Sequence, residues 1–174
     1  MSQPLRVLIV EDVEDDALLT IRELERGGYE ATFERVETPE AMTVALEKQA
    51  WDIIIADYRL PHFSAPEALE LFHQSGLDLP FIIVSGTIGE EIAVAMMKDG
   101  AHDYLVKGNL KRLVPAVDRE LREAEIRKQR KRADYNLKER MKEIQCLHSI
   151  DLIGARPKLT MDEICQEEIG RAHV

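Results

Sequence analysis

Cysteine is scarce. Cys146 and Cys165 are the only two in 174 residues, and they stand far apart. Their spacing excludes a cysteine-based metal site and a disulfide framework. Both read as reduced thiols. Long apolar runs are missing too, since no stretch approaches the roughly 18 residues that a membrane-spanning helix needs. The first residues, MSQPLRVLIV, lead straight into a strand pattern with no small-residue cleavage site after it. The chain therefore reads as cytoplasmic, with no membrane partner. Positive charge is in deficit: 23 Lys and Arg face 33 Asp and Glu, for a net charge of −10. That balance argues against nucleic acid or an anionic membrane surface as a partner of the whole chain.

What is present is enough for a core. Apolar residues make up 45% of the chain, and the length allows one domain plus an extension. Leu5 to Val10 reads as a buried strand. Val13 to Arg26 is helical, because Ala17, Ile21 and Leu24 recur at i, i+4 and i+7. Glu14, Asp15 and Asp16 in its first turn complement the helix macrodipole, and Gly27-Gly28 stops it. Glu30 to Val36 is a weaker strand. Thr38-Pro39 starts a helix running to about Gln49, with Ala41, Val44 and Ala45 facing inward. Asp52 to Ala56 is a third strand, and Ser64 caps a helix with Ala68, Leu69 and Phe72 on its apolar stripe. Pro80 to Val84, Gly89 to Lys98 and His102 to Val106 read as strand, helix and strand. Helix follows from Leu110, and Pro115 is near enough to its start to be tolerated.

Strands alternating with helices predict a doubly wound α/β fold: a five-stranded parallel sheet with helices on both faces. Between Arg119 and Arg140 charge dominates, with a basic cluster at Arg127, Lys128, Arg130, Lys131 and Arg132. Residues 119–151 read as a helical linker. A solvated connector, a coiled-coil seam in a homodimer and a nucleic-acid contact are the three readings of it. Leu137, Met141, Ile144 and Leu147 recur at spacings of four and three, as a seam would. Residues 152–168 resemble the entrance to a second domain, with Thr160 to Glu163 shaped like a capping box. Residues 169–174 read as a non-native tail.

A parallel arrangement brings strand ends together. Glu11, Asp12, Asp57, Ser85 and Lys107 converge on the carboxyl edge of the sheet, where open α/β sheets bind ligands. Taken singly, each acid is a helix cap or loop residue, and the lysine is solvated. Taken together, clustered carboxylates tolerate one another around a hard cation. Mg²⁺ uses one or two carboxylates plus phosphate oxygens, and Asp12, Asp57 and Glu11 are candidate ligands. With Lys107 and the Ser85 hydroxyl, the set suits a phosphoryl group. Asp57, the central carboxylate, is the candidate acceptor.

Four pieces carry a family resemblance: VLIVEDVEDD, DIIIADYRLP, PFIIVSG and GAHDYLVKG. Together they make residues 1–118 resemble the receiver domain of two-component response regulators. The resemblance implies a flavodoxin-like fold that takes phosphate from a histidine kinase or phosphotransfer protein. It implies that Asp57 is the phosphorylated aspartate and that Glu11 and Asp12 are the acidic pair for Mg²⁺. The backbone carbonyl of Arg59 would be a further metal ligand. Ser85 would be the switch hydroxyl, Tyr104 the switch aromatic and Lys107 the phosphate-pairing lysine. Arg59 and Thr87 would tune phosphate lifetime. Phosphorylation would then alter the surface of the fourth helix, fifth strand and fifth helix, which partners read.

Two positions depart from the family pattern. Gly108 follows Lys107 where a proline in a cis bond is usual, so the bond is expected trans and the loop looser. Phe63-Ser64-Ala65-Pro66 replaces a usual glycine. The variant is similar to receivers that precede sensor or kinase modules. The expected role is a signalling switch, not a turnover enzyme. A phosphorylation-independent pseudo-receiver and a regulatory fragment of a hybrid kinase or cyclase are the alternatives. An acidic phosphohydrolase is a weaker rival, since nothing in the sequence supplies a substrate pocket.

Overall fold

The computed structural model describes residues 2–86 and 89–153, with side chains to residue 145. Five strands form one sheet: β1 (Gln3–Val10), β2 (Tyr29–Val36), β3 (Ile53–Asp57), β4 (Phe81–Ser85) and β5 (Asp103–Val106). Their order is β2-β1-β3-β4-β5, and every pairing is parallel. The helices are α1 (Glu14–Arg26), α2 (Pro39–Lys48), α3 (Ala65–Gln74), α4 (Glu90–Lys98) and α5 (Leu113–Ile153). A 3-10 helix, Lys107–Arg112, lies between β5 and α5.

β1 from Val7 to Val10, β3 to Ala56 and β4 to Val84 are apolar and buried because both sheet faces are covered there, while the edge strand β2 is mostly polar. Along β1, β3 and β4 the side chains alternate between two cores. Leu8, Val10, Ile54, Ala56, Phe81 and Ile83 pack with α2, α3 and α4 on one face. Val7, Ile9, Ile53, Ile55, Ile82 and Val84 pack with α1 and α5 on the other. A slip of one residue in any of these strands would exchange the two cores, which pins the register.

The doubly wound sheet and long final helix match expectation, and four local details differ. Val44 of α2 is 62% exposed, not inward. Ala45 is buried and Ala41 packs against the core as expected, while Met42 and Leu46 take the inward positions in place of Val44. β1 begins at Gln3 and includes Pro4, which sits where β1 has β2 alone as a neighbour, so its missing donor costs no ladder bond to β3. α5 starts at Leu113 and not Leu110, so Pro115 falls in its first turn. The Lys107 segment is a 3-10 turn and not an open loop, and its peptide bonds are trans.

The chain divides into two compact units, Met1–Glu125 and Ile126–Val174. The sheet and both cores belong to the first. Within the second, Leu137, Met141 and Ile144 are exposed. Thr87, the side chains of Cys146 and Leu147, and everything beyond residue 153 lie outside the described residues. So do the expectations for Cys165, for the second-domain entrance and for the tail.

Candidate functional site

The register puts the chemistry at one edge. Val10 pairs with Ala56, Asp57 with Val84, and Ser85 with Val106. Glu11, Asp57, Ser85 and Lys107 are therefore the residues at, or just past, four neighbouring strand ends. Asp57 closes β3, and its Oδ1 accepts a long hydrogen bond from the Arg59 amide at 3.4 Å. The loop beyond is short and tied. Arg59 and Ser64 form an antiparallel bridge, and Leu60 N donates to Phe63 O. Phe63 and Ala65 are buried beneath it. Those two side chains anchor the turn where a glycine is usual. Ser64 then opens α3, its amide and hydroxyl both donating to the Glu67 carboxylate at 2.8 and 2.6 Å.

Lys107 is the hub. Its Nζ donates to Glu11 Oε2 at 2.7 Å, to Asp16 Oδ2 at 2.6 Å and to Asp57 Oδ2 at 2.9 Å. The three-way contact fixes the ammonium despite the glycine that follows. Burial opposes the Lys107 charge, but the hydrogen bonds from it to Asp16, Glu11 and Asp57 outweigh burial and raise its pKa. Glu11 is itself buried, and desolvation pushes its carboxyl above the ordinary range against the opposing bonds from Lys107 and the Val13 amide. The two shifts favour different protonation states of one pair. The short contacts at Nζ decide for the ionised pair, since a carboxylate and an ammonium at that distance are mutually stabilising.

Glu11, Asp12 and Asp57 each offer an oxygen, and the three oxygens lie within 4.8 Å of one another. A hard cation can therefore be shared by all three, and the all-oxygen donor set suits Mg²⁺ rather than a soft metal. Ser85 is buried at the end of β4. Tyr104 is half-buried against the α2–α4 core and lines a shallow hollow with Val94 and Met97. Arg59 stands in the tied loop after Asp57. Thr87 is not among the described residues.

Two residues that the sequence pattern does not mark join the site. Asp16, read above as a macrodipole acid, is the third partner of Lys107. Arg35, the penultimate residue of β2, donates from Nη1 to the backbone carbonyls of Glu11 and Asp12 at 2.9 and 3.1 Å. It clamps the loop that carries the acidic pair. The available signal was a cation at a strand tip beside an acidic tip. For Asp16 no signal separates it from Glu14 and Asp15.

Fold and site together define a class: flavodoxin-like modules that gather carboxylates and one lysine at the carboxyl edge of a parallel sheet. The family model of the response regulator receiver domain matches residues 7–118, and the chain belongs to that family, the receivers of two-component signalling. Over 104 residues it is 34% identical to the response regulator protein FleR of Pseudomonas aeruginosa, covering 59% of this chain and 21% of that protein. Over 103 residues it is 30% identical to the two-component response regulator ORR21 of Oryza sativa, covering 59% of this chain and 15% of that one. The chain thus spans well under half the length of these relatives. The signal receiver domain of a LuxO repressor protein from Vibrio parahaemolyticus superposes with a TM-score of 0.64 at 28% identity, covering 72% of this chain and 96% of that domain. The N-terminal domain of a response regulator/sensory box/GGDEF protein from Carboxydothermus hydrogenoformans shares the fold, with a TM-score of 0.60 at 22% identity and coverage of 70% and 98%. Among the described residues no helix is long and apolar enough to cross a membrane.

Proposed function

We propose that the chain is a phosphoacceptor switch that takes a phosphoryl group on Asp57 from a histidine kinase or a phosphotransfer protein. The observation that carries this reading is the Lys107 ammonium held against Asp57 and Glu11 at the strand tips. Glu11, Asp12 and Asp57, with the Arg59 carbonyl, would hold Mg²⁺, which when bound neutralises charge on the phosphoryl oxygens.

The protein's part in the transfer is positioning. An Asp57 carboxylate oxygen attacks phosphorus, and the bond from phosphorus to the donor nitrogen or oxygen breaks, with its electron pair leaving on the donor. Lys107 neutralises the charge that the new acyl phosphate brings. Ser85, beside Asp57 across the β3–β4 pair, donates its hydroxyl to the phosphoryl group, and Tyr104 occupies the space Ser85 leaves. The α4–β5–α5 surface changes in consequence, and a partner reads it. Arg59 and Thr87 tune how long the phosphate lasts. The module turns over no external substrate and acts in the cytoplasm.

Acetyl phosphate with Mg²⁺ tests the assignment. Wild type should incorporate one alkali-labile, acid-stable phosphate, and Asp57→Ala none. Equal incorporation by the two would show that Asp57 is not the acceptor, and no incorporation by wild type would return the chain to a phosphorylation-independent interaction module.

A further inference from the structure

Lys107 has three carboxylate partners, and two of them have a second duty. Glu11 and Asp57 are the oxygens a divalent cation would share with Asp12. Both carboxylates already accept from the lysine, through Glu11 Oε2 and Asp57 Oδ2. Binding of Mg²⁺ must therefore compete with the ammonium for them. Asp16 is different. It lies outside the oxygen cluster, on the first turn of α1, and makes the shortest of the three contacts.

We propose that Asp16 is a positioning residue for Lys107, holding the ammonium beside the site while Glu11 and Asp57 turn their oxygens to Mg²⁺. The proposal rests on the reading of the site given above. It follows from counting partners. Without Asp16, the lysine has the two metal ligands alone, and each step toward cation binding strips it of an anion. With Asp16 it keeps one, at a distance from Asp57 that a single side chain already spans. The 3-10 turn after Lys107 gives the backbone no proline to fix it, so the side-chain contact to α1 supplies the anchor. Asp16 is more exposed than its two rivals for the lysine, at 36% of its side chain against 6% for Glu11 and 12% for Asp57. Its substitution should therefore leave the cores intact.

A double-mutant cycle read by calorimetric Mg²⁺ titration separates this role from a bulk charge effect. Asp16→Asn keeps the shape and removes the charge. It should weaken Mg²⁺ binding about tenfold in the otherwise native chain, because Lys107 then closes on Glu11 and Asp57. In a Lys107→Met background the same substitution should change Mg²⁺ affinity by less than about twofold. Asp16→Glu, which keeps the charge, should recover most of the native affinity. Equal weakening by Asp16→Asn in both backgrounds would show that Asp16 acts through its own field, and no weakening in the native background would show that it does not act at all. Either overturns the proposal while leaving Asp57 as acceptor, which the acetyl phosphate labelling checks separately. Failure of the native chain to bind Mg²⁺ would overturn the site reading and this proposal together.

Discussion

Arg35 shows how much of the site depends on a residue that carries no chemistry. Its guanidinium bridges the Glu11 and Asp12 carbonyls and also pairs with Glu37 at 3.1 Å. Two carbonyls at a strand-to-helix turn have no ladder partner, so the bridge replaces the secondary structure that ends there. Arg35→Ala should cost about 1–2 kcal/mol in urea unfolding and should also raise the Mg²⁺ concentration for half-maximal phosphorylation. A loss of stability with unchanged Mg²⁺ dependence would limit Arg35 to the fold. Tyr29 makes the matching bond at the other end of the sheet, where its hydroxyl donates to Asp118 of α5. Burial first, and then that bond, raise the Tyr29 pKa above the ordinary phenol value. The unfolded phenol ionises near 10. The stabilisation is therefore complete below about pH 10 and fades as pH rises through the folded-state value. Tyr29→Phe should cost about 1 kcal/mol at pH 8, and the gap from wild type should narrow above pH 10. Urea midpoints at pH 8 and pH 11 give both numbers.

At the scale of the element, two adjacent glycines end α1 for unlike reasons. Gly28 has a φ of 94°, a left-handed conformation that a side chain strains. Gly27 has an ordinary helical φ of −75° and is glycine because α5 lies too close. A Cβ there would meet the two Val114 methyls at 2.5 and 2.6 Å. Valine is stiff at χ1 and cannot swing away cheaply. Gly27→Ala should cost about 1–3 kcal/mol, with Val114→Ala in the same chain restoring much of it. Gly28→Ala should cost about 1–2 kcal/mol, with no rescue by Val114→Ala. Thermal denaturation of the four chains checks the pattern, and rescue of both or neither would remove the distinction.

The same contrast explains what the sequence made legible. The strands were legible because their apolar runs report burial on both faces, and β3 and β4 fall within a residue of expectation. The convergence of Glu11, Asp57, Ser85 and Lys107 followed from parallel order alone. The inward face of α2 did not, since Ala41, Met42, Val44, Ala45 and Leu46 allow two stripes, and contact with β2 and α3 selects one. Asp16 was hidden for a related reason. Three acids in a row satisfy the macrodipole equally, and only the packed direction of α1 decides which one reaches Lys107. Arg35 needed the β1–β2 register. Pattern specifies which edge a residue reaches, while the pairings across that edge depend on the packed backbone.

For the molecule as a whole, the open question in α5 is what covers its apolar stripe. Leu137, Met141 and Ile144 are 59%, 54% and 64% exposed, spaced by four and three. That spacing lines one side of a helix. A long charged helix with such a stripe gains stability when a second copy buries it. The intact chain should therefore show a mass that rises with concentration in sedimentation equilibrium. Leu137→Glu with Ile144→Glu should hold it monomeric, and Asp57 labelling by acetyl phosphate should be unchanged, because the site belongs to the first unit. Salt dependence then reports orientation. In a parallel pair the basic runs Arg127–Arg132 of both copies face each other and repel. At 0.15 M salt screening acts beyond about 8 Å, and at 1 M beyond about 3 Å. Parallel association should thus tighten as salt rises. In an antiparallel pair that buries the same stripe the two basic runs lie at opposite ends of the seam and do not face each other, and association should change little with salt. A monomer at every concentration would mean that the stripe is covered by something other than a second copy.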